Sequence, residues 1–378
     1  MLRHVFFAGF SLTLSAALTY YVNSSFLESI VGETRVGLVY ALGAVLAILL
    51  ILLIPRLGRR YGLLRPTRWF ALIFFSGTAT LALNQTKMVQ LLAFTITHAA
   101  IICLALLLDI YLETLSSDKH TGRIRGGYLT VVNTAVLISP YISSLTLSHT
   151  NALYDYRIIY SLSFLVTIPL LYQVFWLLTD RSLPPDVFNF RQKLRDKNLQ
   201  KILALDFLLN LFYFFMVIYL PLHLIHTIGF TWENIGLIFT IMLLPFVLIE
   251  YLLGWLADRK FGEKEILTIG LIITAVFTLP IAFITTRSIA IWALILFGTR
   301  VGASAIESMK ETYLFKKVTA ADIGIISLSR LMIPSAYLVG SLVSVVFFLF
   351  FPISYLFLLI GVLFIFSLYF SLTLEDTK

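Results

Sequence analysis

Twelve apolar runs take up most of this chain, near 4–27, 35–54, 69–86, 88–113, 127–147 and 156–178, then near 202–226, 235–254, 266–286, 288–309, 322–347 and 351–373. Each reaches the roughly 20 residues that a helix needs to cross the hydrocarbon core of a bilayer, the third only just. Only 13% of the 378 residues are charged and 59% are hydrophobic. A soluble domain of this length carries about a quarter charged residues, so the solvent for most of this chain is lipid. The expected fold class is an all-α integral membrane protein with twelve transmembrane helices.

The chain also repeats itself at about half its length. Gly58-Arg59-Arg60-Tyr61-Gly62 returns as Asp258-Arg259-Lys260-Phe261-Gly262. Tyr20, Gly37 and Tyr40 line up with Tyr219, Gly236 and Phe239, and Asp109-x-x-x-Glu113-Thr114 returns as Glu307-x-x-x-Glu311-Thr312. Matches in the same order mark two homologous halves. The expected organisation is a six-helix bundle over 1–180, a basic linker over 181–200 and a second six-helix bundle over 201–378. Two such halves, related by an axis along the membrane normal, form a transporter architecture with a site between them.

The net charge of +8 is a matter of topology. Even-numbered loops hold Arg56, Arg59, Arg60, Arg65 and Arg68, then Lys119, Arg123 and Arg125, then Arg181, Arg191, Lys193, Arg195, Lys197 and Lys201. Arg259, Lys260, Lys264, Lys310, Lys316 and Lys317 continue the series, whereas odd-numbered loops hold only Arg35, Lys87, Arg157 and Arg287. The positive-inside rule then puts both termini in the cytoplasm of a multi-pass protein of the cytoplasmic membrane. A nucleic-acid partner is not expected. The first span, with Ser15-Ala16-Ala17, imitates a signal peptide, but removing it would delete the partner of the seventh span.

Other functions lack their residues. The single cysteine, Cys103, sits inside the fourth span and excludes a disulfide framework or a Cys-based metal site. There is no phosphate-binding P-loop, no H-E-x-x-H and no loop long enough for a soluble catalytic domain, so neither an enzyme nor a cofactor nor a metal is expected.

The loop after the eighth span reads Gly254-Trp255-Leu256-Ala257-Asp258-Arg259-Lys260-Phe261-Gly262-Glu263-Lys264. It resembles the signature loop of the major facilitator superfamily, G-x-x-x-D-(R/K)-x-G-x-(R/K)-(R/K). Gly254, Asp258, Arg259 and Lys264 fall on the pattern, and the second glycine arrives one residue late, at Gly262. In the first-half copy Gly58 stands at the aspartate position and Ile54 at the first glycine, leaving Arg59, Arg60 and Gly62. The resemblance implies two pseudo-symmetric six-helix bundles. It also implies that Asp258 latches onto the start of the eleventh span in one state of a transport cycle. The residue chemistry agrees, because a boundary aspartate suits the positive end of a helix.

Ionisable groups inside spans are costly and so are functional candidates. They are Asp109, Glu113, Asp206, Glu250, Arg300, Glu307 and Arg330. Counting from the span ends puts most of them in the cytoplasmic half, which suits a charge network sealing an inner gate, with Glu307–Arg330 as the leading pair. Asp109 has Arg59, Arg60 and Arg125 as candidate partners. Proton coupling through Glu307, Asp109 or Asp206 is the competing role.

Arg300 lies near the bilayer centre, among Gly298, Thr299, Gly302, Ala303 and Ser304. Small neighbours make room for a helix or a ligand, and a guanidinium fork suits carboxylate or phosphate. Arg300 therefore either binds an anionic or zwitterionic solute or neutralises Glu307 or Asp206. His98, Asn133, Asn210 and Tyr213 complete the tentative cavity set, while His223 and His226 are expected at the outer interface. The function expected is a monomeric secondary transporter of a small solute, with protons as a candidate partner. A non-transporting sensor and a drug efflux pump are the alternatives. Serines replace the glycines around Pro140 that mark drug–proton antiporters of the superfamily, which counts against the latter.

Overall fold

A computed structural model describes residues 1–84, 86–115, 121–147, 152–181, 195–249, 253, 262–317 and 323–375. They are almost wholly helical and divide into two compact units, 1–185 and 186–378.

The first unit contains α1 (Leu2–Tyr20), α2 (Asn23–Val31), α3 (Glu33–Tyr61), α4 (Leu64–Leu83), α5 (Lys87–Leu115), α6 (Thr121–Leu147) and α7 (Ala152–Tyr172), whose end widens into a π turn over Gln173–Leu177. The expected first span is thus two helices, interrupted at Tyr21 and Val22. Inside the unit α1 packs on α5, α6 and α7, and α4 on α5 and α7. Contacts are made by small and hydroxyl residues. Ser15 and Ser163 exchange hydrogen bonds between α1 and α7, and the Ser143 hydroxyl donates to the Leu18 carbonyl at 2.6 Å. Such pairs suit a lipid-embedded bundle, where close packing and interhelical hydrogen bonds replace the hydrophobic drive.

The second unit contains α8 (Lys197–Leu222, extended by a π turn over His223–Ile228), α9 (Trp232–Leu248), α10 (Glu263–Thr278, extended by a 3-10 turn to Phe283), α11 (Ile289–Lys317), α12 (Ile323–Phe347) and α13 (Tyr355–Leu372). Asp196 starts α8 by accepting from the Asn198 and Leu199 amides at 2.8 and 3.4 Å, as an N-cap does. The helix carries apolar residues on every side, broken by Asp206 and Asn210, and Phe212, Phe214 and Phe215 are fully buried. An all-round apolar helix belongs at the centre, and α8 meets α11, α12 and α13.

Among the described residues ten helical segments are long and apolar enough to cross a membrane. The other two positions are α4, whose first two turns carry Arg65 and Arg68, and α9, which has 17 residues. Helices α5 and α11 each run for 29 residues, about 44 Å at 1.5 Å per residue. That exceeds a hydrocarbon core of about 30 Å. The acids near their ends therefore need not sit in the middle of the lipid.

Candidate functional site

The polar residues of the second unit converge on the face where α8, α11 and α12 meet. Asp206, one helical face with Asn210 and Tyr213, is 4% exposed. Its Oδ1 forms a salt bridge with Lys310 of α11 and accepts from Asn210 Nδ2 at 2.9 Å, and its Oδ2 accepts from the Ser329 hydroxyl of α12 at 2.7 Å. A buried carboxylate with this many donors is fully satisfied. By sequence Lys310 counts among the loop cations. It lies inside α11, 8% exposed, because the helix continues well past the apolar run. Its position three residues after Glu307, on the same face, was the available signal.

One turn along, Tyr213 donates its hydroxyl to Glu307 Oε2 at 2.6 Å. Arg330 of α12 does not reach Glu307. It pairs with Glu311, Nη1 to Oε1 at 3.3 Å. Glu307 and Glu311 share one face of α11, so an axial offset of a single turn between α11 and α12 moves the guanidinium from one to the other. These two side chains remain 21% and 16% exposed. Glu311→Gln is accordingly expected to lower unfolding stability by only about 1–2 kcal/mol, between the surface and buried extremes for ion pairs. Thermal melts in detergent check this.

Arg300 stands apart. It is 1% exposed, and Cζ lies 4.9 Å from the Phe212 ring centroid and 5.6 Å from that of Tyr213. Nε and Nη1 are buried without hydrogen-bond partners. Neither Glu307 nor Asp206 neutralises it. The small residues around it serve a neighbouring helix, since a Cβ on Gly298 would lie 2.3 Å from Phe277 and one on Gly302 would lie 2.6 Å from the Gly270 carbonyl oxygen.

Gly254, Asp258, Arg259 and Glu250 lie outside the described residues. Gly262 sits at the N-cap of α10 with φ −81°, and Glu263 beside it is buried and ion-paired with Lys316. In the first unit Arg59 and Arg60 occupy the last turn of α3, where cations favour the helix C-terminus. Gly62 follows with φ +76°, and its missing side chain leaves space for the Asp180 carboxylate. Asp180 Oδ1 accepts from the Leu64 amide at 3.0 Å, at the start of α4. This acid at the start of α4 comes from beyond α7, and sequence reasoning missed it. Arg68 completes the end, donating from Nη2 to the Phe175 carbonyl at 2.7 Å.

Asp109 and Glu113 are half-buried in the last turns of α5, and the side chain of Arg125 lies outside the described residues. Asn133 is half-buried on α6. His98 stacks on Phe94 at 5.8 Å and meets Tyr40 edge-on at 5.4 Å, with its ring fitted over Gly43. His223 is buried within the second unit. It is 1% exposed, between Trp292 and Phe357, because the π turn continues α8 inside the unit. His226 is exposed.

The family model described as Major Facilitator Superfamily matches residues 5–309. No curated protein matches the chain. Among solved structures, the crystal structure of an auto-inhibited POT family peptide transporter superposes with a TM-score of 0.77 at 12% identity, covering 100% of this chain and 98% of that one. At that identity the likeness is one of fold.

Proposed function

We infer the function from a family membership: this chain belongs to the major facilitator superfamily, it is a multi-pass membrane transporter, and its cargo is a small solute that is anionic or zwitterionic. Arg300 is the residue that receives the solute's carboxylate or phosphate. One observation supports this most: a guanidinium that is 1% exposed and, among the described residues, has neither a counter-ion nor partners for Nε and Nη1.

A desolvated, unpaired charge costs several kcal/mol. The Phe212 and Tyr213 rings return about 2 kcal/mol of that as cation–π attraction. The nearby acids have other partners, Asp206 with Lys310, Glu311 with Arg330 and Glu307 with Tyr213. A solute oxyanion is the partner that the fork lacks. Transport follows by alternating access, the solute site opening to one side of the membrane and then the other. The ion pairs joining α8, α11 and α12 act at the cytoplasmic gate, the side assigned by loop charge. The fold shared with a peptide transporter adds short peptides to the solutes worth testing.

The test is a thermal-shift screen of the purified protein with lactate, benzoate, succinate, glutamate, dialanine and inorganic phosphate. A bound solute stabilises by RT ln(1 + [L]/Kd), about 2.7 kcal/mol at a hundredfold excess over Kd. Wild type should respond, Arg300→Lys weakly and Arg300→Met not at all. Because an unpaired buried charge is replaced by apolar volume, solute-free Arg300→Met should melt above solute-free wild type. Equal responses in wild type and Arg300→Met would make Arg300 structural, and no response from wild type would remove this solute class.

A further inference from the structure

Arg300 sits in an aromatic setting that is fixed before any solute arrives. Its Cζ lies over the Phe212 ring at 4.9 Å and over the Tyr213 ring at 5.6 Å. Phe212 is fully buried and packs edge-on against Phe364 of α13, with centroids 5.4 Å apart. Tyr213 is tethered through its hydroxyl, which donates to Glu307 Oε2 at 2.6 Å. Neither ring turns away without breaking its own contacts, so the guanidinium keeps both. An oxyanion must then approach the edge of the guanidinium, where the N–H groups point.

Edge-on approach sorts oxyanions by shape. A carboxylate is planar, and it continues the guanidinium plane when both of its oxygens accept from the fork. A tetrahedral phosphate carries oxygens out of that plane, towards the faces that the aromatic rings cover. Hydroxyl-rich solutes find little to bind. Thr299 and Ser304 flank Arg300 on α11, but their hydroxyls donate to the Leu296 and Val301 carbonyls at 2.6 and 3.0 Å.

What the site offers the body of a solute is ring surface. Phe246 of α9 stands 6.3 Å from Tyr213, with the ring planes 61° apart. Both side chains are half-buried, whereas Phe212 is closed off. Tyr213 thus joins the guanidinium to a second aromatic surface. A further ring meets such a pair edge-to-face or offset-stacked, with centroids about 4.5–7 Å apart. The other described cation nearest to Arg300 along α11, Lys310, is already held by Asp206, which leaves one guanidinium for one carboxylate.

We propose that the solute received by Arg300 is an aryl monocarboxylate, with its carboxylate in the plane of the guanidinium and its ring against Tyr213 and Phe246. Conjugation keeps such an acid flat, so a single pose satisfies the N–H groups and the rings together. The inference rests on the anion reading of Arg300 and narrows it to one class of acid.

Calorimetry on the purified full-chain protein compares benzoate with cyclohexanecarboxylate, which has the same charge and nearly the same size but a puckered, saturated ring. Burial of apolar area alone gives the saturated acid at least equal affinity. Benzoate should nevertheless bind about three- to tenfold more tightly, the range for aromatic contacts beyond area. Lactate and inorganic phosphate should bind more weakly than either. Phe246→Leu keeps an apolar side chain and removes the ring, so the ratio between the two acids should fall towards one. Arg300→Met should bind neither. Equal wild-type affinities for the two acids, or phosphate bound more tightly than benzoate, overturn the aryl reading and leave the anion site standing. A wild-type ratio in Phe246→Leu overturns the placement of the solute ring against Phe246. If both acids bind Arg300→Met as they bind wild type, or none of the four anions binds wild type, the anion reading itself falls and the aryl reading with it. If Phe246→Leu does not fold, the wild-type ratio decides, since it needs no variant.

Discussion

Asp206→Ala lowers the stability of the second unit by about 3–5 kcal/mol, the range for removing one partner of a buried ion pair. The loss is large because the carboxylate serves three elements at once. Without it the Lys310 ammonium, 8% exposed, has lost its counter-ion on α8, and Ser329 on α12 has lost its acceptor. Each hydrogen-bonding group left unsatisfied adds about 1–3 kcal/mol. The pair itself is expected to be worth far less than its disruption. Asp206→Leu combined with Lys310→Met should therefore melt close to wild type, since an apolar replacement of both partners removes the desolvation cost along with the attraction. Tryptophan fluorescence during thermal unfolding in detergent reads both, because Trp292 is fully buried in this unit. A single variant that melts no lower than the double variant would mean that water reaches Lys310 and replaces the lost oxygen.

Gly302→Val is the second large effect, acting on packing rather than charge. Helices α10 and α11 approach so closely that a Cβ on Gly302 would lie 2.3 Å from Thr274 Oγ1, 2.6 Å from the Thr274 amide nitrogen and 2.6 Å from the Gly270 carbonyl oxygen. Two of these three are backbone atoms, which cannot swing aside as a side chain can. The helices must separate, and the contacts on both sides go with them. Overpacking of this kind costs about 1–3 kcal/mol and more where backbones meet. The change should also displace Arg300, which lies two residues earlier, so solute binding should fall along with the melting temperature. Gly270→Ala, whose Cβ would meet Ala305 and the Gly302 carbonyl at 3.0 Å, should give a milder loss of both. Wild-type melting in Gly302→Val would show that the crossing has room to relax.

Much of the candidate site is written in residue types. Asp206, Arg300 and Glu307 stand out because charge within an apolar run is rare and costly, whatever the fold around it. The pairing of those charges is another matter. Arg330 chooses Glu311 over Glu307 by the axial offset of α12 against α11, a quantity of one helical turn that no local pattern specifies. Lys310 belongs to the interior because α11 outlasts its apolar run, and Asp180 meets the start of α4 across 116 residues of chain. Neither follows from periodicity.

The spans, the repeat and the family need only the sequence, because lipid admits few backbone solutions and a span must be both long and apolar. The state of Arg300 needs the tertiary structure. Whether a buried guanidinium meets a carboxylate or, as among the described residues, two aromatic faces depends on how three helices are rotated and staggered. Those contacts extend over only a few ångströms. An apolar helix can take many rotations at nearly equal hydrophobic gain, so side-chain packing selects among them.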